Sequence, residues 1–400
     1  MRVGLVDFES AGHHTPYAKY ISEHLIELDH EVVFITSEAN DELSEFPNGP
    51  NFSVETVRSV THSNIPYIQQ AQVQINRSRQ IKDTLELDLN LDLIHFLFLD
   101  LSEIPIWFNL RNQSNKLPII ASLHRDEPFD SNYETDEYGY LSLKLRTLAE
   151  NIFTGINDKL KSRMVDNHRL KKIIVHDQNI QRRLARKTGI DEQFIENIPA
   201  PTPEVNADIT KKEARDILNL PKKGTMYLFF GELRYEKGPD ILAEAVSDLP
   251  DDDFFVTYAG KEKEITREDI PEWDELVDRN LLIPRLEYIP EKQVDYYFIA
   301  SDALVLPYRR KMGISGPLRR ACMARTHVIG PNDTDVGDVI ERNNLGTTFE
   351  HNSVSALKGS LEDFVKNKDE YDLAGVDKYK KSIHYSTVVE ELENIYQSCL

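Results

Sequence analysis

Tyr227-Leu-Phe-Phe-Gly-Glu-Leu-Arg-Tyr-Glu-Lys-Gly-Pro-Asp-Ile-Leu-Ala-Glu-Ala-Val246 is the stretch on which the fold turns. It opens with four apolar residues, Tyr227 to Phe230, short and aromatic enough for a buried strand. Gly231 breaks that strand. A charged loop with Arg234 and Lys237 follows, and Gly238-Pro239 leads into Ile241, Leu242, Ala245 and Val246 at helical spacing. A first helical turn accommodates proline, so the stretch reads strand, loop, helix. Its loop puts two cations at the carboxyl end of a strand, where open α/β sheets bind ligands. Cations beside a helix N-terminus suit a phosphate or diphosphate. An ordinary surface loop with solvated charges is the alternative that this stretch leaves open.

A second set of residues bears on that choice: Tyr288-Ile-Pro290, then Ala300-Ser-Asp-Ala-Leu-Val-Leu-Pro-Tyr-Arg309, then Ser315-Gly-Pro317, then Val328-Ile329. With Phe229-Phe-Gly-Glu-Leu-Arg-Tyr-Glu-Lys-Gly238, this order resembles the donor-binding half of the retaining family-four glycosyltransferases, the group 1 type with the GT-B fold. The pattern is nearest to a subset with Ile-Arg-Pro-Tyr-Lys-Gly in the first loop and Ser-Gly in the last. The resemblance implies an α/β protein of two Rossmann-like parallel domains facing across a cleft. Residues 1–200 would be the acceptor-side domain and 201–380 the nucleotide-sugar domain, with 381–400 a helix packing back on the first. Ile198-Pro-Ala-Pro-Thr-Pro203 is the proline-rich boundary between them and resembles the family's linker.

Composition agrees. A chain of 400 residues suggests two domains, each large enough for its own core. Hydrophobic content of 40% and charged content of 29% describe a globular chain, not a disordered one. No apolar run is long enough to span a bilayer, and no charged-then-apolar leader follows Met1. Cys322 and Cys399 offer neither a disulfide framework nor metal-ligand spacing, which fits a reducing cytoplasm. A formal net charge of -21 argues against bulk nucleic-acid binding.

In the first half, Arg2–Asp7, His30–Thr36, Asp92–Phe98, Pro118–His124 and Lys171–His176 read as buried strands. Tyr17, Ile21, His24, Leu25 and Leu28 form a helix face between the first two. Gly12 lies in the loop before that helix, where it would let backbone approach a ligand or simply make a tight turn. His124 ends its strand in Ser-Leu-His-Arg-Asp and resembles the family's histidine that faces the donor sugar; Arg125 interrupts the match and leaves Asp126 without a clear role. Between 159 and 187 stand ten cations, Lys159, Lys161, Arg163, Arg169, Lys171, Lys172, Arg182, Arg183, Arg186 and Lys187, against Asp166 and Asp177 alone. Such a stretch is a solvated basic face, or a peripheral contact with anionic lipid at the inner face of a membrane or with a polyprenyl-phosphate acceptor.

In the second half, Lys211–Asn219, Gln293–Ser301 and about 317–324 read as helices, and Phe254–Gly260, Ala303–Pro307 and Val328–Pro331 as strands. Asp335–Asp338 reads as a loop near the site, and Tyr385–Tyr396 as the final helix. The resemblance implies donor contacts at Gly231, Tyr288, Ile289, Ser315, Gly316 and Pro317, with His124, Arg234 and Lys237 serving catalysis. Ser315 and Pro317 are also helix-start signals, and a helix start offers free N–H groups to a diphosphate.

Two features depart from the family. Many members carry paired glutamates where this chain has Met312 and Arg320, and many carry Arg where it has Glu232. Ribose recognition is therefore unassigned, with Glu341 only a guess. The implied reaction moves a sugar from a nucleoside diphosphate to a glycan, lipid-linked or small-molecule acceptor with retention, the departing phosphate acting as base. Fixed cations stand in for a metal, and neither metal nor cofactor is expected. A non-catalytic nucleotide-sugar-binding subunit and a GT-B epimerase or phosphorylase remain as other classes.

Overall fold

The computed structural model describes residues 1–9, 14–38, 40, 43–58, 66–100, 102–110, 117–124, 155–166, 170–205, 208–250, 253–313 and 315–400. The chain divides into two units, Met1–Pro201 with Tyr385–Leu400, and Thr202–His384. At the passage between them Thr202 N–H donates to the Ile383 carbonyl at 2.8 Å, so the outgoing and returning segments are tied together.

The first unit is built on a seven-stranded sheet. In chain order its strands are β1 (Arg2–Val6), β2 (Glu31–Ser37), β3 (Phe52–Val57), β4 (Leu93–Phe96), β5 (Ile119–Leu123), β6 (Lys172–Val175) and β7 (Ile195–Asn197). They lie in the order β3-β2-β1-β4-β5-β6-β7, and every pair is parallel. Helices cover both faces, which is why these strands read as unbroken apolar runs. On one face Val6, Ile35, Phe96 and Ala121 meet Ile106, Met164 and Leu184. On the other, Leu5, Phe34, Ile120 and Ile174 meet the helix His14–Glu27 and the final helix, Tyr385–Cys399, through Tyr17, Ile21, Val389 and Leu392.

That final helix is fastened by polar contacts as well. Fully buried His95 on β4 is hydrogen-bonded through Nδ1 to the Tyr396 hydroxyl at 2.6 Å and through Nε2 to Ser122 Oγ at 2.8 Å. Burial, with His176 nearby, pulls the His95 pKa down to about 3, so the ring is neutral.

The second unit carries six parallel strands: β8 (Thr225–Phe230), β9 (Phe254–Ala259), β10 (Leu282–Arg285), β11 (Ala303–Val305), β12 (His327–Pro331) and β13 (Gly346–Phe349). Their order is β10-β9-β8-β11-β12-β13. Successive residues of β8 face opposite layers. Met226 and Leu228 join Phe298, Leu318 and Ile340, whereas Tyr227 and Phe229 join Leu242, Val246 and Leu361. The buried Tyr227 hydroxyl is satisfied by the Leu361 carbonyl at 2.6 Å.

Several elements lie outside the sequence reading. β3 is a half-exposed edge strand with Ser53, Glu55 and Thr56, and β7 is a three-residue edge. Neither needs the apolar run that marks a central strand. Asp335–Asp338 is not a loop: it is the first turn of the helix Asp335–Asn343, capped by Thr334, whose side chain accepts the Gly337 N–H at 2.9 Å. Among the described residues no helix is long and apolar enough to cross a membrane.

Candidate active site

In each sheet the strand order reverses direction once, between β1 and β4 and between β8 and β11. Such switch points are where open α/β sheets hold ligands. The two loops at the switch point of the second unit are the Gly231–Gly238 loop after β8 and the segment after β11.

The first loop is shaped by close backbone approaches. Gly231 has φ 115° and Gly238 has φ 63°, both in the region that glycine tolerates. A Cβ on Gly238 would run into the Pro307 carbonyl, and one on Gly231 into Lys237 Nζ. The lysine therefore folds back over the glycine at the end of β8. Burial, with Arg234 and Arg310 close by, lowers the Lys237 pKa to about 8. An ammonium held in this way, near two guanidinium groups, favours an incoming anion.

Arg234 lies in the same loop, but it is not a bare cation. Its guanidinium is hydrogen-bonded to Glu232, with Nε to Oε2 at 2.8 Å, and Nη1 lies 3.7 Å from Glu236. Lys263 reaches the same Glu232 oxygen at 3.1 Å. Arg234 and Lys263 hold the Glu232 carboxyl below the usual carboxylate range.

After β11, two adjacent arginines divide their work. Arg309 is a strut: it clamps Asp240 at 2.8 and 2.5 Å, stacks over Tyr235 at 4.3 Å, and its N–H donates to the Glu236 carbonyl. Arg310 lies over Tyr308 and beside Gly313, and its charge reaches Lys237. The Tyr308 hydroxyl lies 3.2 Å from Ser315 Oγ, which caps the helix Gly316–Met323 by accepting the Leu318 N–H at 3.2 Å. Pro317 sits in its first turn, and a Cβ on Gly316 would meet nothing within 4 Å. Buried Asp335 accepts the Gly313 N–H at 2.7 Å and so steadies the loop before that helix.

Gly231, Arg234, Lys237 and the Ser315–Pro317 helix start thus frame one end of the sheet. Tyr288 is 68% exposed, with Lys261 Nζ 5.2 Å from its ring centre, whereas the Ile289 side chain is buried in the core, leaving only its backbone for a ligand. Met312 is exposed, and Arg320 is paired with Asp295 at 2.8 Å and with Glu291. Glu341 accepts the Thr348 hydroxyl. Neither Met312 nor Arg320 supplies a carboxylate to the site. Arg310 is the residue that sequence reasoning missed, whereas Asp335 was placed near the site but in a loop. Arg310 was legible as a second cation at a strand's carboxyl end.

In the first unit His124 follows β5. Its N–H donates to Asp100 at 3.1 Å and its Nε2 to the Leu97 carbonyl at 3.0 Å, and its ring stacks on Phe98 with centroids 4.1 Å apart. Gly12, Arg125, Asp126 and Arg169 lie outside the described residues. The basic stretch is not a single surface face. Lys161 is buried against Glu103 at 3.1 Å and Asp158 at 3.3 Å, and Lys172 is tied to the Gln193 carbonyl and to Glu196. A lysine ammonium buried against two carboxylates cannot meet a lipid headgroup. Among the described residues no group of three or more His, Cys, Asp or Glu side chains could hold a metal ion.

Two family models match in succession: "Glycosyltransferase Family 4" over residues 15–202 and "Glycosyl transferases group 1" over 210–381. The chain belongs to the group 1 glycosyltransferases. The curated D-inositol 3-phosphate glycosyltransferase of Xylanimonas cellulosilytica is 29% identical over 152 residues, 35% of this chain. The chain covers only 36% of that relative's length. Among solved structures, a sucrose-phosphate synthase from Thermosynechococcus elongatus aligns over 100% of this chain and 98% of its own, with TM-score 0.72 and 16% identity. The Anabaena protein HepE, in complex with UDP, aligns over 100% of both chains with TM-score 0.66 and 12% identity. At these identities the likeness speaks for the GT-B fold of two Rossmann-like α/β domains.

Proposed function

We propose that this group 1 glycosyltransferase moves a sugar from a nucleoside diphosphate sugar to a hydroxyl-bearing acceptor, a glycan, lipid-linked or small-molecule compound, with retention at the anomeric carbon. The observation that carries this reading is the convergence of Lys237, Arg234 and Arg310 with the capped helix start at Ser315, at the switch point of the second sheet. As the bond to the sugar breaks, negative charge grows on the β-phosphate. Prealigned cations and N–H groups stabilise that charge, and removing one such donor typically costs about 3–4 kcal/mol of barrier. Fixed cations of this kind make a metal ion unnecessary. HepE, of the same fold, binds UDP, which favours a nucleotide at the corresponding sheet end. Arg234 and Lys237 would grip the diphosphate, Gly231 and the Ser315–Gly316–Pro317 turn would admit it, and Tyr288 with the Ile289 backbone would border the base. His124 would serve catalysis, the role that its resemblance to the family's histidine implies. Unpaired Cys322 and Cys399 suit a cytoplasmic site of action.

One observation favours a second reading, a subunit that binds the donor without turnover: Met312 and Arg320 bring no carboxylate to the site, and Glu232 already occupies Arg234. A single protocol separates the readings. Thermal unfolding is followed with UDP, GDP, ADP and their common sugar conjugates, without metal, for the wild type, Arg234→Ala and Lys237→Ala. A stabilising nucleotide names the base. Release of that nucleotide from its sugar conjugate, lost in Lys237→Ala, supports turnover, and anomeric NMR of the product reads the stereochemistry. No stabilisation by any nucleotide sinks the reading.

A further inference from the structure

Residues 306–313, between β11 and the helix Gly316–Met323, form neither strand nor helix, so their shape depends on what they are tied to. Arg309 N–H donates to the Glu236 carbonyl at 2.9 Å, and the Arg309 carbonyl accepts His351 Nε2–H at 2.8 Å. The turn that follows is held by one residue. Asp335, buried in the first turn of the helix Asp335–Asn343, donates its backbone N–H to the Lys311 carbonyl at 2.8 Å. Its Oδ2 accepts the Gly313 N–H at 2.7 Å. The clamp is itself anchored, since the preceding Thr334 hydroxyl accepts the Gly337 N–H at 2.9 Å and donates to the Pro331 carbonyl at 2.8 Å.

Arg310 rests on this turn. A Cβ on Gly313 would stand 3.8 Å from Arg310 Cζ, and the same guanidinium lies 5.5 Å from the centre of the Tyr308 ring. The Arg310 charge is felt in turn at Lys237. A cation stabilises charge on a ligand best when its place is fixed before the ligand arrives. In a stretch without regular structure, committed backbone groups supply that fixity.

We propose that Asp335 is a positioning residue for the diphosphate site: by clamping Lys311 and Gly313 it holds the Arg310 guanidinium where a phosphate group is met. It acts through Arg310 and not through contact with the ligand. The inference rests on the donor reading for the identity of that ligand; the clamp on Arg310 does not depend on it. The sign of the effect separates this role from plain electrostatics. A carboxylate near a diphosphate repels it, so charge alone would make Asp335→Ala bind a nucleotide more tightly. A lost clamp makes it bind more weakly.

Calorimetric titration of the full chain with UDP, GDP and ADP, without metal, tests the clamp. For the nucleotide that binds, Asp335→Ala should weaken affinity about tenfold, the loss of one hydrogen bond to a charged group. Asp335→Asn, whose amide oxygen can still accept the Gly313 N–H, should stay within about twofold of the wild type. Arg310→Ala should weaken binding to a similar extent, and the double variant no further than either single one. Melting temperatures without nucleotide check folding, and Asp335→Ser, one atom too short to reach Gly313, replaces Asp335→Ala if that variant does not fold. The proposal is overturned if Asp335→Ala binds as well as or better than the wild type, if Asp335→Asn is as weak as Asp335→Ala, or if the two losses add.

Lys237 gives a reading without nucleotide. Burial, then Arg234 and Arg310, lower its pKa to about 8, so displacing Arg310 in Asp335→Ala should raise that pKa, whereas losing a negative charge alone would lower it further. NMR of isotope-labelled lysine follows the titration. If no nucleotide binds the wild type, the donor reading falls and the lysine decides the clamp: a rise sustains it, and no rise overturns it. If a nucleotide binds and Asp335→Ala makes no difference, the donor site stands and the clamp alone falls.

Discussion

Glu232 holds Arg234 inside the loop that ends β8: one carboxylate oxygen takes the arginine Nε–H at 2.8 Å and Lys263 Nζ at 3.1 Å. The residue after Gly231 thus places an internal anion on a cation that a diphosphate would seek. A bound phosphate must compete with it. Partly exposed ion pairs are worth about 0.2–1 kcal/mol, so Glu232→Gln should tighten binding of a nucleoside diphosphate by about 1.4- to fivefold. Calorimetric titration reads this directly, and unchanged or weaker affinity would remove Glu232 as a competitor.

If Lys237 grips the diphosphate as proposed, nucleotide binding should depend on pH. Its pKa of about 8 means that the ammonium is present at pH 7 and lost as pH rises through 8. A diphosphate prefers the ammonium, so affinity should fall between pH 7.5 and about 9.5, with proton uptake on binding above pH 8. Lys237→Arg should flatten the profile, since a guanidinium stays charged. A wild-type profile already flat across that range would show the lysine to be an ordinary surface cation.

The same lysine costs stability. Its folded pKa lies below the unfolded value of 10.5, so the unfolded chain binds more protons between about 8 and 10.5. The cost is full below pH 8 and fades toward 10.5. Lys237→Met should therefore raise the melting temperature at pH 7 while abolishing the nucleotide-induced shift, the usual opposition of stability and function at a binding site. A variant that melts lower and still binds nucleotide would contradict both halves of this account.

Tyr396 ties the final helix to His95. Tyr396→Phe keeps the ring and removes the hydroxyl, leaving a fully buried imidazole nitrogen without that partner, at a cost of about 1–3 kcal/mol. Urea unfolding of the first unit, followed by near-ultraviolet circular dichroism, should show the loss. No change in midpoint would mean that His95 finds another partner.

Both units should weaken in mild acid. His95 in the first unit and His327 in the second have folded pKa values of about 3 and about 4, chiefly through burial, against 6.5 unfolded. The unfolded chain then takes up protons that the folded chain refuses, and stability falls as pH drops from 6.5 toward 4. Replacing His327 with Phe should flatten that slope in the second unit alone, and the midpoints at pH 7, 6, 5 and 4 would show it.

The central strands, their parallel pairing and the loops bearing Arg234, Lys237 and Ser315 were legible in the chain, because each depends on local signals: an apolar run, a glycine at positive φ, a proline in a first turn, a serine cap. Edge strands such as β3 escaped because half-exposed backbone needs no apolar run. The helix at Asp335 escaped because its Thr334 cap resembles loop chemistry.

Sequence by itself determined which residues carry charge and where strands end, since these are properties of neighbours in the chain. Tertiary structure decided what each charge meets. Arg309 and Arg310 are adjacent and alike, yet one is spent on Asp240, 69 residues away, and the other stays near Lys237. Lys161 belongs to a basic stretch in the sequence but lies buried against Glu103 in the structure. Asp7 and His14 become a unit only once folding brings them to 2.8 Å. Electrostatic and hydrogen-bond energies depend on distance and burial, and only folding sets those quantities.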